Sequence, residues 1–115
     1  MKVPPGACDC HVHVFGPAAR YPFARERAYT PPEASIEELL ALQKRLGFER
    51  VVIVQPSVYG TDNSCTLDAL KRLGERARGV AVVDTKSNLP EMQKLGVRGV
   101  RINLQTSRPS PGSRC

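Results

Sequence analysis

The sequence predicts an α/β fold built on a parallel sheet. Three observations carry this. Short β-rich runs alternate with helical runs, in the order βαβαβαβ, as crossover units require. The run Val51-Val52-Ile53-Val54 is apolar at every position, which suits a strand covered on both faces. The runs around His11 and Arg101 instead alternate polar and apolar residues with period two, so each presents one polar face.

The first strand is expected at residues 8–14, Cys-Asp-Cys-His-Val-His-Val. Its parity puts Asp9, His11 and His13 on one face and Cys8, Cys10, Val12 and Val14 on the other. A connection from Phe15 to Ala34 follows. Pro17, Pro22, Pro31 and Pro32 exclude a continuous helix there. Ser35 and Glu38 form an S-x-x-E capping box. The helix behind it buries Ile36, Leu39, Leu40 and Leu46, with Leu42 at the margin, and stops at Gly47. The second strand is 51–55. Asp62, Asn63 or Ser64 can cap a second helix over 65–77, with Leu67, Leu70 and Leu73 as its buried stripe. The third strand is expected at 80–84. A short helix over 89–95 is capped by Ser87 or Asn88 and ended by Gly96, and the fourth strand is 100–104. Residues 105–115 carry no apolar periodicity and are expected to be a disordered tail. Residues 1–104 then form the N-terminal part of a larger α/β domain, because a parallel strand with one bare face is a poor place to stop.

Composition narrows the function classes. The 115 residues carry a net charge of +6, but residues 98–115 hold Arg98, Arg101, Arg108 and Arg114 and no acid, so the rest is close to neutral. No dense Lys/Arg stripe interleaved with aromatics marks a nucleic-acid surface. The apolar run at 51–54 is far short of the roughly twenty residues of a membrane span. Met1-Lys2-Val3 leads straight into Pro4-Pro5-Gly6, without the apolar core of a secretory signal, so a cytoplasmic protein with reduced thiols is expected.

His-x-His on a strand places two imidazoles on one side, close enough to share a metal or a substrate. Polar groups on the inward face of a parallel barrel, near its C-terminal rim, are where catalytic residues sit. A buried mid-strand Arg101 needs an anionic partner. Asp9 is positioned to orient a histidine. Asp62 and Asn63 fit helix caps better than ligands.

Residues 8–17, Cys-Asp-Cys-His-Val-His-Val-Phe-Gly-Pro, resemble the opening strand of the amidohydrolase superfamily. They are most similar to the branch of 2-pyrone-4,6-dicarboxylate lactonase and sugar-acid lactonases. Tyr21-Pro22-Phe23 and Ala28-Tyr29-Thr30-Pro31 resemble that branch's first loop. Residues 54–63, Val-Gln-Pro-Ser-Val-Tyr-Gly-Thr-Asp-Asn, resemble its second strand and loop, and residues 96–103 a later strand. The resemblance implies a partial (β/α)8 TIM barrel: the first three βα units plus a fourth strand. It also implies a hydrolase of a carboxylated lactone, a small-molecule partner.

His11 and His13 match the family's catalytic pair, which binds one divalent metal (Zn or Mn) in many members and works without an obligatory metal in this branch. Tyr29, Ser57 and Arg101 match positions that hold substrate carboxylates. Tyr29 could equally cover the loop, and Ser57 could equally serve the turn after Pro56. The family's second Arg falls at Ser107, and its third His and late Asp have no counterpart, so this chain alone is expected not to catalyse. Two rival readings are a small metal-binding module of Cys8, Cys10, His11 and His13, and an interaction fragment that forms an oligomer through an uncovered sheet edge.

Overall fold

A computed structural model describes residues 2–102. The expectations for 103–115, including Asn103, Leu104 and the tail, lie outside the described residues. Four strands form one sheet in the order β1 (Cys8–Val12), β2 (Arg50–Val54), β3 (Ala77–Ala81) and β4 (Val97–Val100). Every neighbouring pair is parallel. Helices α1 (Ile36–Leu46), α2 (Ser64–Leu73) and α3 (Leu89–Leu95) make the crossovers. This is the expected α/β sheet with three βα units and a fourth strand.

The core lies on the helix side of the sheet. Val51, Ile53 and Ala77 pack there with Ile36 of α1 and with Cys65, Ala69, Leu70 and Leu73 of α2. The opposite strand face carries Val52, Val54 and Val80, by alternation. Gly79 lets α2 approach β3: a Cβ there would stand 2.7 Å from Leu70 Cδ1.

α1 follows its local signals. The Glu38 amide donates to Ser35 Oγ at 3.3 Å, and the Ser35 amide donates to Glu38 Oε2 at 2.8 Å. Gly47 ends the helix at φ 86°. Leu46, expected in the buried stripe, is 50% exposed, because it occupies the last helical position beyond the reach of the sheet.

Two boundaries differ from expectation. α2 stops at Leu73 rather than running to 77, because Gly74 takes φ 60° and a 3-10 turn follows. The chain therefore enters β3 at Ala77, three residues early. β4 is displaced in the same direction and ends at Val100. Val100 at its end and Ile102 just beyond it are 59% and 84% exposed. No described helix is long and apolar enough to cross a membrane.

Candidate active site at the C-terminal edge of the sheet

The end of β2 organises the site. Past the last ladder bonds, its carbonyls point to either side and accept side chains from the flanking strands. The Val54 carbonyl accepts a hydrogen bond from His13 Nδ1 at 2.8 Å. The next carbonyl, that of Gln55, accepts one from Arg101 Nη1 at 3.2 Å. A carbonyl has no proton to give, so Nδ1 carries the hydrogen of neutral His13, and Nε2 keeps its lone pair.

His11 and His13 stand edge to face, with ring centroids 5.2 Å apart. His11 is exposed and His13 half-buried. Burial above all holds His13 below the ordinary histidine range. Repulsion from the His11 ring and the Arg101 guanidinium pushes the same way, and the Val54 hydrogen bond opposes them. His13 is accordingly a neutral acceptor near pH 7.

Not every expected partner joins them. Asp9 was placed with the histidines by parity, but a register shift breaks the alternation. Asp9 pairs with Val51 and Val12 with Ile53, so Cys10 and His11 together oppose Val52. Asp9 is thereby in register with a residue of the helix-side core. Arg101 lies just past β4 rather than in mid-strand, and its amide still donates to the Ala81 carbonyl at 2.9 Å. Ser57 opens a 3-10 turn directly beyond the end of β2, where its backbone carbonyl accepts from Gly60. Tyr29 is 44% exposed, and no described hydrogen bond or ring contact ties it to the histidines.

The loop over residues 15–34 is anchored elsewhere. Phe15 and Ala34 bridge its base, and the Ala24 amide donates to the Val58 carbonyl at 2.7 Å. The Tyr21 hydroxyl donates to Asp68 on α2. Burial foremost, then the Asp68 carboxylate, raises the Tyr21 phenol to about 12. Gly16 of the Phe-Gly-Pro run admits the Tyr21 ring, since a Cβ there would lie 2.4 Å from it. A cleft of about 600 Å³ between α1 and α2 is lined by Val14, Tyr21, Cys65, Asp68 and Arg72 among others, and includes neither histidine nor Arg101.

Asn63, one of the three expected cap candidates, holds the N-cap position of α2, but its side chain makes no cap bond. Its amide donates to the Val82 carbonyl at 2.7 Å, and its Oδ1 accepts from the Val82 amide at 3.2 Å. Asp62 instead accepts from the Ser64 amide at 3.1 Å. Sequence reasoning also missed Gln55, which is fully buried. Its available signal was a polar residue closing an apolar strand in front of Pro56.

A metal does not fit these residues alone. Among the described residues no group of three or more His, Cys, Asp and Glu side chains is placed to hold one. A catalytic zinc site needs three protein ligands, and the pair supplies two. The module of Cys8, Cys10, His11 and His13 finds no such cluster either.

An imidazole pair with one fixed acceptor, beside a guanidinium at the C-terminal edge of a parallel sheet, is the kind of rim site found in barrel enzymes. The family model described as Amidohydrolase matches residues 8–113. The chain belongs to the amidohydrolase family. Its relatives include a 2-pyrone-4,6-dicarboxylate hydrolase of Comamonas testosteroni, 51% identical over 107 residues, covering 90% of this chain and 35% of that protein. A 4-sulfomuconolactone hydrolase of Rhizobium radiobacter is 49% identical over 104 residues, covering 88% of this chain and 35% of that protein.

A crystal structure of a probable 2-pyrone-4,6-dicarboxylic acid hydrolase from Acinetobacter baumannii, with citric acid bound, superposes with a TM-score of 0.79 at 29% identity. It is covered to 42%, against 94% of this chain. The amidohydrolase chain described here thus spans about a third of the length of the curated relatives it matches. The expected family and the partial TIM-barrel fold both stand.

Proposed function

We propose that this chain carries one part of the active site of a hydrolase acting on carboxylated lactones, with 2-pyrone-4,6-dicarboxylate as the first substrate to try. The observation that carries the reading is the clamping of His13 and Arg101 onto the adjacent carbonyls of Val54 and Gln55. The fixed tautomer divides the histidine pair. His13 Nε2 accepts a hydrogen bond from the attacking water, while the exposed and unclamped His11 donates to the lactone carbonyl oxygen. Arg101 spends one N–H on Gln55 and turns its remaining donors to a carboxylate, for which its planar fork is suited. Ser57 adds a neutral donor to a second carboxylate, and Tyr29 closes over the substrate from the first loop.

The isolated chain does not turn over. A His13 held below its ordinary range is a weak base, and Asp9 pairs with the wrong residue of β2 to replace it. Loss of a needed acid–base group lowers rates by about 10² to 10⁴. The test is hydrolysis of 2-pyrone-4,6-dicarboxylate followed by ultraviolet absorbance, with and without added Zn²⁺ or Mn²⁺, and with His11→Ala as control. Background rates throughout agree with the reading. Turnover that vanishes in His11→Ala would make the chain a working enzyme and overturn it.

A second reading rests on the exposed Val100 and Ile102 beside the outer edge of β4. There the chain associates through its sheet edges, and sedimentation across a concentration series separates the two. A monomer at every concentration retires the association.

A further inference from the structure

We infer that Gln55 is a positioning residue that sets the distance between the two carboxylate-binding groups, Arg101 and Ser57. The inference rests on the function proposed above. Gln55 is fully buried, and each of its polar groups has a partner. Its amide donates to the Val80 carbonyl at 2.8 Å, which locks the end of β2 to β3. Its backbone carbonyl holds Arg101, as described. The side-chain Nε2 donates to the carbonyls of Gly60 at 3.1 Å and Asp62 at 2.8 Å. Its Oε1 accepts from the Thr66 hydroxyl at 2.7 Å, and Thr66 is itself fully buried on α2.

One residue therefore joins two things that the sheet alone does not join. Its backbone seats the guanidinium that arrives from the end of β4. Its side chain holds the carbonyls of Gly60 and Asp62, three and five residues past Ser57. The orientation of the amide is fixed by chemistry: the carbonyls of Gly60 and Asp62 can only accept, so the two hydrogens face them and the oxygen faces the Thr66 hydroxyl. The arrangement is more than a buried group finding partners. Gly60 holds a left-handed φ of 56°, and the Gln55 amide lies against the carbonyl of that turn. Remove the Thr66 hydroxyl and the Gln55 oxygen is left buried without its donor, which strains the hold on the loop. The Ser57 turn then shifts against a guanidinium still seated on backbone. The consequence is specific: a ligand that bridges both groups suffers, and a ligand that needs only Arg101 does not.

The experiment titrates citrate and acetate into the 115-residue chain and follows the Arg101 side-chain Nε–H and the backbone amides of residues 57–62 by NMR. Citrate is the bridging probe and acetate the single-carboxylate probe. In Thr66→Val, citrate should bind roughly tenfold more weakly, the scale of one neutral hydrogen bond and its geometry, while acetate changes less than about twofold. Gln55→Glu, which keeps the shape but replaces the two N–H donors with an acceptor oxygen, should show the same split, and serves if Thr66→Val does not fold. In the wild-type chain the Gln55 side-chain amide resonances should also shift on citrate saturation, which needs no variant. Equal losses for both ligands, unchanged citrate binding in a folded variant, or unmoved Gln55 amide resonances would overturn the inference while leaving the site reading intact. Wild-type chain that binds citrate nowhere near Arg101 would overturn the site reading, and the inference with it.

Discussion

Replacing Gly79 with alanine tests how the helix layer sits on the sheet. The added Cβ would stand 2.7 Å from Leu70 Cδ1. Leu70 is 1% exposed, so its side chain has nowhere to go without displacing α2. Overpacking of this kind costs about 1–3 kcal/mol. Against it, alanine restricts the unfolded chain and returns about 0.4–1 kcal/mol. The net is a destabilisation of about 1–2 kcal/mol. With a urea dependence of about 1–3 kcal/mol per molar, the midpoint falls by roughly 0.3–2 M. Gly99→Ala is the internal control. It sits on the neighbouring strand, its Cβ would meet Val80 at an ordinary 3.6 Å, and its backbone lies outside the left-handed region. Its midpoint should stay or rise slightly. Equal midpoints for Gly79→Ala and wild type, or equal losses in both variants, would refute the packing of α2 on β3.

Two other outcomes follow from the same contacts. Ser35→Ala removes the capping box of α1 and should lower stability by about 1 kcal/mol, read as a fall in urea midpoint with unchanged slope. The depressed His13 gives a pH signature. As the pH falls through about 6.5, the unfolded chain takes up its proton first. Stability therefore declines from there down to the folded-state value and then levels off, and His13→Gln should remove that decline. A decline that survives the substitution assigns it to another group.

Much of the fold was legible because its signals are local. The capping box, Gly47 and the Asn88 cap act within one turn, and α1 and α3 fall where they were expected. The third strand slipped because the break is made by Gly74 adopting a left-handed conformation, and a glycine at a helix end reads the same whether it stops the helix or lies within it. The alternation along β1 misled at Asp9, because a register shift has no residue signature and needs the partner strand to be seen. The histidine pair was readable from spacing. Its clamp to Val54 was not, since it joins residues 41 apart in sequence. Asn63 holds the cap position its residue type favours, but its side chain goes instead to the backbone of Val82, 19 residues away, which no local pattern shows.

The most direct test of the central claim is the location of the dicarboxylate on the molecule. Titrating 2-pyrone-4,6-dicarboxylate into ¹⁵N-labelled chain should shift the side-chain signals of His11, His13 and Arg101 and the backbone signals of residues 54–58 together, with one affinity. His13 should keep its Nδ1–H tautomer throughout, read from its ring nitrogen shifts. Arg101→Gln should weaken binding by about 10- to 100-fold, the scale of a charge-assisted pair. Shifts confined to the cleft between α1 and α2, or binding that is indifferent to Arg101, would contradict the account.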